Sequence, residues 1–173
     1  GRIKVPPNIC RLTPRGKGWV PRNLGKTLLA KTRLVIRMAN GVVHAVDPSN
    51  LDAYISNWVS SGGTVTEVCW KLLEPGQCFF DIGANVGIVS LAVAKERGNQ
   101  ATVFAFEPQE RIAHLIAVSA KLNGYDHVKV YAVAAAEKDE EADFFVPGAS
   151  THSSLIAPSG RTVKSHVGRY ALT

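Results

Sequence analysis

Acidic residues are missing from the first 46 positions of this 173-residue chain, although these positions carry ten of its 20 lysines and arginines. A basic segment of this kind is typical of a solvated leader, or of an arm that binds nucleic acid or another anionic partner. Prolines and glycines interrupt residues 1–33 and disfavour a helix there. Trp19 is the single aromatic residue of this segment, whereas binding by base stacking uses several. We interpret residues 1–33 as a basic arm, in the simplest case a solvated leader, and nucleic-acid binding stays an open alternative.

Long apolar runs and metal-binding cysteine patterns are missing as well. No apolar run approaches the roughly 20 residues of a membrane-spanning helix, and the N-terminus has no continuous apolar segment typical of a secretory signal. The three cysteines, Cys10, Cys69 and Cys78, are odd in number and have no metal-ligand spacing. We expect Cys69 and Cys78 to be reduced and to lie in the core. These absences predict a cytoplasmic protein with no membrane partner and no metal site.

What the chain does contain is a strand, a turn and a helix in a diagnostic order. Residues 79–87 read FFDIGANVG, an apolar run that ends at a carboxylate and enters a glycine-rich turn. Apolar periodicity predicts a buried strand at 78–82 and a helix from 86 to 97. A second apolar strand, residues 102–106, ends at Glu107. Ligands of open α/β sheets bind outside the carboxyl ends of the strands, so acids at two neighbouring strand ends predict a cofactor site.

The charge of this site favours one kind of cofactor. Dinucleotide sites have the spacing G-x-G-x-x-G and hold a pyrophosphate at the helix N-terminus. Here the glycines are Gly83 and Gly87, and Asp81 precedes the first of them. A partly buried carboxylate repels a phosphate by roughly several kcal/mol. S-adenosylmethionine has a sulfonium, an ammonium and a ribose diol but no phosphate, and Glu107 stands where an acid can accept hydrogen bonds from the diol. Two alternatives stay open. The cofactor is a nicotinamide dinucleotide, or Asp81 has no ligand and only caps the helix.

The remaining elements complete an α/β pattern. Two β-prone runs at 34–38 and 42–46 flank Asn40 and Gly41, a strong hairpin signal. A helix is predicted at 49–60. A capping box at 64–67 begins another helix. Its apolar stripe consists of Val65, Val68, Cys69, Leu72 and Leu73.

The second half of the chain continues this alternation. A helix from Pro108 to residue 122, with Ser119 on its buried side, connects to a third strand at 128–134. The order strand, helix, strand, helix, strand predicts parallel strands. Beyond it the sequence predicts a charged loop at 137–143, an edge strand at 143–146, a loop to 161 and a weak strand at 162–173.

Two segments together resemble one enzyme family. D-I-G-A-N-V-G at 81–87, followed by V-F-A-F-E-P at 103–108, makes the chain similar to the FkbM-type S-adenosylmethionine-dependent methyltransferases. The likeness starts at about residue 34 and leaves the arm outside. It also includes V-D-P at 46–48, L-N-G at 122–124, V-K-V at 128–130, Ala134 and S-S-L at 153–155.

The resemblance implies an α/β fold of the class I, Rossmann-like methyltransferase type, with a domain at 34–173. It implies an enzyme that methylates a hydroxyl of a small-molecule acceptor, a sugar or natural product, with S-adenosylmethionine as cofactor. By position, the cofactor loop falls on Asp81, Gly83, Asn85 and Gly87, and the ribose-binding acid on Glu107. The third strand ends in A-V-A-A at 132–135, so the adenine would be bound through the backbone.

The resemblance also implies a fragment. The family continues into a fourth strand that ends in an Asp-x-Glu-Gly motif beside the transferred methyl group, and this chain lacks it. We therefore expect the N-terminal half of the sheet only. Methyl transfer requires positioning and removal of the acceptor proton, and histidine is the residue type suited to that removal. The candidates are His44, His114, His127, His152 and His166. His114 is expected to pack in its helix and His127 to lie in a turn, and His152, in the loop after the third strand, is the favoured candidate base. No catalytic residue is assigned.

Overall fold

The computed structural model describes residues 9–12, 33–47, 64–136, 140–146 and 161–168. The helix predicted at 49–60, the loop at 147–160, Trp19 and His152 lie outside these ranges. Within them the chain alternates helices and strands and forms three small sheets.

The first sheet confirms the predicted hairpin. Strand β2 (Arg33–Arg37) pairs antiparallel with β3 (Val43–Val46), and Asn40 closes the connection by accepting the Val42 N–H at 3.0 Å. A further strand, β1 (Ile9–Leu12), pairs parallel with β2. Its residues belong to the basic arm, where no strand was predicted. A segment of the arm therefore extends the hairpin sheet, and the domain boundary at residue 33 stays a prediction.

Helix α1 (Thr64–Leu72) begins where the capping box predicts, but its apolar stripe is mostly exposed. Leu73 is buried and Cys69 is half-buried, whereas Val65, Val68 and Leu72 are 54%, 49% and 75% exposed. The helix contacts its neighbour α2 (Ile88–Arg97) through one side only. Arg97 Nε fixes this contact by donating to the Trp70 carbonyl at 2.7 Å. The predicted one-sided apolar stripe is thus covered by the described residues only at its Cys69 and Leu73 positions.

The central sheet carries the strand ends on which the site was predicted. Strands β4 (Cys78–Ile82), β5 (Thr102–Phe106) and β6 (Val128–Tyr131) run parallel in the order β4-β5-β6. Helix α2 connects β4 to β5, and α3 (Glu110–Asn123) connects β5 to β6. Gly98 and Gly124 end the two helices. The predicted Rossmann-like α/β alternation is confirmed.

The two faces of this sheet are covered differently. On the inner face Val103 and Ala105 are fully buried against helix residues such as Leu91 and Ile116. On the outer face the rings of four residues stack across the strands, with centroids 5.1 to 6.5 Å apart between neighbours: Phe80, Phe104, Phe106 and Tyr131.

The outer face corrects two predictions. Phe80 is 46% and Ile82 60% exposed, and Cys78 on the same side of β4 is also exposed. Side chains alternate across a strand, and in the described residues the helices cover one face of this sheet. Strand β4 is therefore not a fully buried strand, and Cys78 is not a core residue.

The third sheet follows β6 along the chain. Strands β7 (Ala134–Ala135), β8 (Glu140–Val146) and β9 (Arg161–Gly168) have the order β7-β9-β8. The predicted third strand at 128–134 thus ends early, at Tyr131, and Ala134 belongs to a separate strand. Residues 140–143, predicted as part of a loop, pair with β9 in an antiparallel ladder.

Two polar side chains of α3 hydrogen-bond to the backbone of the hairpin strand β3. Asn123 accepts the Val43 N–H at 2.9 Å through Oδ1 and donates from Nδ2 to the Val43 carbonyl at 2.6 Å. Ser119 Oγ accepts the Ala45 N–H at 2.9 Å and donates to the Leu115 carbonyl. Ser119 is buried as predicted, and its hydroxyl is the reason it lies there.

Candidate functional site

The turn between β4 and α2, residues 83–87, has a backbone that few residue types adopt. Gly83, Asn85 and Gly87 have φ values of +79°, +50° and +74°, in the left-handed region that glycine and asparagine tolerate best. The N–H groups of Gly83 and Ala84 both donate to the Phe106 carbonyl at 2.9 Å, and Gly87 N–H donates to the Ala84 carbonyl at 2.8 Å. The turn is therefore bound to the end of the neighbouring strand β5.

The two glycines of the turn have different surroundings. A Cβ atom on Gly87 would lie 3.0 Å from Cγ2 and 3.1 Å from Cγ1 of Ile116, so a side chain there would crowd Ile116. A Cβ atom on Gly83 would meet no atom of the described residues within 4 Å. Packing as well as the φ angle therefore favours glycine at position 87, whereas Gly83 is exposed and leaves its backbone open to a ligand.

Asp81, the penultimate residue of β4, is half-buried beside the start of α2. Its Oδ2 accepts the N–H of Ser90 at 3.1 Å and the hydroxyl of Ser90 at 2.5 Å. Burial raises the pKa of the Asp81 carboxyl, and the hydrogen bonds from Ser90 partly offset that rise. One carboxylate oxygen of Asp81, Oδ2, therefore caps helix α2, as the alternative interpretation predicts. Oδ1 makes no hydrogen bond to the residues that the structure describes.

Glu107 follows β5 directly and is 3% exposed. Its Oε2 accepts the Asn85 N–H at 2.9 Å, and its Oε1 accepts the Gln109 N–H at 2.9 Å. Burial raises the pKa of the carboxyl, the amide hydrogen bonds lower it, and the charge of Asp81 raises it further. Glu107 therefore ties the turn to the start of α3. The Gln109 side chain makes a third hydrogen bond to the carboxylate. A carboxylate has about four lone-pair sites, so about one remains after these three bonds.

The fold brings the five predicted cofactor residues together around this turn. Asp81 and Glu107 flank it at neighbouring strand ends, and the charge of Asp81 raises the pKa of Glu107. Gly83, Asn85 and Gly87 form the turn itself. Asn85 contributes through its backbone N–H to Glu107. After β6, residues 132–135 offer no polar side chain, as the sequence shows.

The histidines with described side chains have different surroundings, and for none of them does the structure show a contact on the open side of the turn. His114, expected to pack, is exposed on α3, so that prediction is wrong. His127 lies in a turn as predicted, with Nε2 3.1 Å from the Ala94 carbonyl oxygen. His166 is on β9. His44 is 1% exposed, and burial lowers its pKa to about 4.

The contacts that two residues make with the site were not predicted from the sequence: that of Ser90 with Asp81, and that of His44 with the turn. Ser90 occupies the third position of α2, where its N–H is one of the open donors of a helix N-terminus. His44 interrupts the apolar positions Val42 and Val46 on one side of β3, and all three are buried. A histidine inside an apolar alternation was the available signal, but its partner is 42 positions away in sequence.

Other kinds of site are not formed by the described residues. No three histidine, cysteine or acidic side chains within them gather as ligands for a metal ion. Among the described helices, none has the length and apolar character needed to traverse a bilayer.

Comparisons with known proteins add one distant likeness. No protein-family model matches the chain, and no curated protein matches its sequence. Among solved structures, the chain is similar to wild-type Trm5b from Pyrococcus abyssi, with 17% sequence identity and a TM-score of 0.39. The likeness covers 70% of this chain and 44% of that protein, so the chain spans less than half its length. At that TM-score the likeness has no bearing on function.

Proposed function

We propose that this chain carries the cofactor-binding half of a class I methyltransferase that uses S-adenosylmethionine. The observation that carries the proposal is the pair of acids, Asp81 and Glu107, on either side of a glycine turn that is open at Gly83. A phosphate-bearing cofactor would meet two interacting carboxylates at this point. A cofactor with positive charge and a diol matches them.

The described residues fit this cofactor in separate ways. Oδ1 of Asp81 can accept a hydrogen bond from a cationic or hydroxyl group, while Oδ2 stays on Ser90. Glu107 can accept a hydrogen bond from one ribose hydroxyl at its remaining lone-pair site, and a bond from the second hydroxyl would replace that of the Gln109 side chain. The backbone amides of Asn85 and Gln109 stay on the carboxylate in both cases. Gly83 permits close approach to the backbone. When bound, S-adenosylmethionine supplies an electrophilic methyl group on a good leaving group.

The finer function follows from the resemblance to the FkbM-type enzymes. On that basis we propose a small-molecule hydroxyl, of a sugar or natural product, as the methyl acceptor. The contribution of this chain is binding and orientation, which can supply about 7–11 kcal/mol of the barrier of a two-substrate reaction. The catalytic base stays unassigned.

Calorimetric titration of S-adenosylmethionine into the 173-residue chain tests the proposal. We expect Asp81→Asn to weaken binding about 10- to 100-fold, because a hydrogen bond to a charged group contributes roughly 1.5–3 kcal/mol. Glu107→Gln should weaken binding by a similar factor. Glu110→Gln is the matched control, since Glu110 is an exposed acid of the first turn of α3, and it should leave binding unchanged.

Ligand-free melting curves of each variant separate loss of binding from loss of folding. Unchanged affinity in Asp81→Asn would contradict the proposed role of that residue. Tighter binding of reduced nicotinamide dinucleotide than of S-adenosylmethionine would favour an oxidoreductase instead.

A further inference from the structure

The hairpin strand β3 places a histidine behind the cofactor turn. His44 is opposite Ile36 in the hairpin register and is 1% exposed. Its ring N–H donates to the carbonyl of Val86, inside the 83–87 turn. Val86 itself is 2% exposed. The hydrogen bond therefore reaches the turn from the protein interior, while Gly83 faces the open side.

Apolar packing reinforces this contact. Three hairpin residues, Leu34, Met38 and Val46, share one buried cluster with Val86 and Ile88. The cluster also includes Ile112 of α3. The hairpin is in turn fastened to α3 through Asn123 and Ser119. The hairpin that packs against the turn is thus itself hydrogen-bonded to α3.

The backbone around Val86 explains why such a support matters. Val86 lies between Asn85 and Gly87, the two residues of the turn with positive φ that flank it. The N–H of Asn85 donates to Glu107, and the N–H of Gly87 donates to the Ala84 carbonyl. The Val86 carbonyl and the Gly87 N–H belong to one planar peptide, so a shift of that carbonyl rotates the Gly87 N–H. The Ala84 carbonyl that accepts this N–H shares its own peptide with the Asn85 N–H, so the shift is passed on to the Asn85 N–H through the hydrogen bond. The His44 bond therefore acts on the atoms that set the position of Glu107.

We propose that His44 is a positioning residue for the cofactor turn: its buried N–H holds the Val86 carbonyl and so fixes the Asn85 N–H that orients Glu107. The role requires an N–H donor of this length. Burial lowers the pKa of His44 to about 4, so near pH 7 the donor is the neutral imidazole. Its effect on ligand affinity rests on the proposed function. Its effect on the turn does not.

Amide hydrogen exchange of the ligand-free chain tests the structural claim. In His44→Leu, which removes the donor, we expect the Asn85 and Gly87 amides to exchange at least ten times faster than in the wild type. His44→Gln, which places an amide N–H at a similar distance, should restore slow exchange to within about threefold. Val42→Ala is the matched control, because Val42 is an equally buried hairpin residue that belongs to a different apolar cluster.

S-adenosylmethionine titration of the same variants tests the functional claim. We expect about a tenfold weaker affinity for His44→Leu, near-wild-type affinity for His44→Gln, and no change for Val42→Ala despite its lower melting temperature. Equal exchange and affinity changes in His44→Leu and Val42→Ala would overturn the positioning role, since they would trace to general destabilisation. If the wild type binds no S-adenosylmethionine, the proposed function fails, and the exchange data still decide whether His44 holds the turn.

Discussion

The two sides of the 83–87 turn differ in almost every physical respect. On the inner side a side chain at Gly87 would crowd Ile116, and Val86 is buried beneath the hairpin and accepts a hydrogen bond from His44. On the outer side a side chain at Gly83 would meet no described residue, and Asp81 keeps one oxygen free of hydrogen bonds to the described residues. A binding turn must be rigid and accessible at once. Here rigidity comes from one side and access from the other.

The electrostatics of the two sides differ as well. Burial lowers the pKa of His44 to about 4 and so keeps the inner side neutral. Burial raises the pKa values of Asp81 and Glu107 at the strand ends. Desolvation disfavours the charged form in each case, but it does so in opposite directions for a base and an acid. The contrast between the sides can be tested by mutation and by pH.

The largest expected effect belongs to the inner side. Gly87→Ala should lower the free energy of unfolding by about 2–5 kcal/mol, because a non-glycine residue at φ +74° costs about 1–2 kcal/mol and crowding against Ile116 adds about 1–3 kcal/mol. Urea unfolding measures the change. In an Ile116→Ala background, which removes both crowding atoms, the same substitution should cost less. An equal cost in both backgrounds would show that crowding plays no part.

The pH dependence of stability should distinguish the two sides by sign. His44 has a folded pKa of about 4 against 6.5 in the unfolded chain. Between these values the unfolded chain binds the proton and the folded chain does not, so stability falls on acidification, by up to about 3 kcal/mol. Above pH 6.5 this contribution is constant. Urea midpoints of wild type and His44→Gln, measured from pH 7 to 4, should converge on acidification, and parallel profiles would contradict the burial of a neutral His44.

Asp81 and Glu107 contribute to the same profile in the opposite direction. Their folded pKa values are raised, so the folded chain binds protons before the unfolded chain does, and acidification through the folded pKa adds stability. Asp81→Asn should therefore make the acid loss of stability steeper than in the wild type.

The smallest expected stability effect belongs to the outer side. Gly83→Ala should lower the free energy of unfolding by about 1–2 kcal/mol through its φ of +79° alone, because the new methyl group would meet no atom of the described residues. Gly124→Ala is the matched control, since Gly124 has φ +73° and equally open surroundings at the end of α3. The two variants should melt alike, but Gly83→Ala alone should weaken S-adenosylmethionine binding. Equal affinities would place the ligand elsewhere.

Local sequence patterns predicted the central α/β unit well. Apolar runs and glycines located β4, β5 and both helices, because strand periodicity and positive-φ caps are local properties. The same patterns did not show which apolar side chains of α1 and β4 are covered by other parts of the protein and which are exposed. An apolar stripe shows that Val65, Val68 and Leu72 favour burial, but whether anything covers them depends on parts of the chain distant in sequence.

The sequence predicted which residues form the candidate site, but it did not predict the hydrogen bonds that they make. Asp81 and Glu107 were identified by their positions at strand ends, which topology makes neighbours. The ties of Asp81 to Ser90, of Glu107 to the Asn85 amide and of His44 to Val86 join residues 9, 22 and 42 positions apart. Such pairings depend on the final packing of whole elements, and no short-range pattern encodes them.

The side chain of Asn123 also has a consequence for association between molecules. Val43 and Ala45 are the β3 residues whose backbone groups point away from β2, and outward-pointing groups of this kind are a template for strand addition. The amide of Asn123 and the hydroxyl of Ser119 occupy them as a neighbouring strand would. One helix turn thereby blocks this edge of the hairpin sheet to strands from other copies. Asn123→Ala should reopen it and convert a folding contact into a site for intermolecular β-pairing.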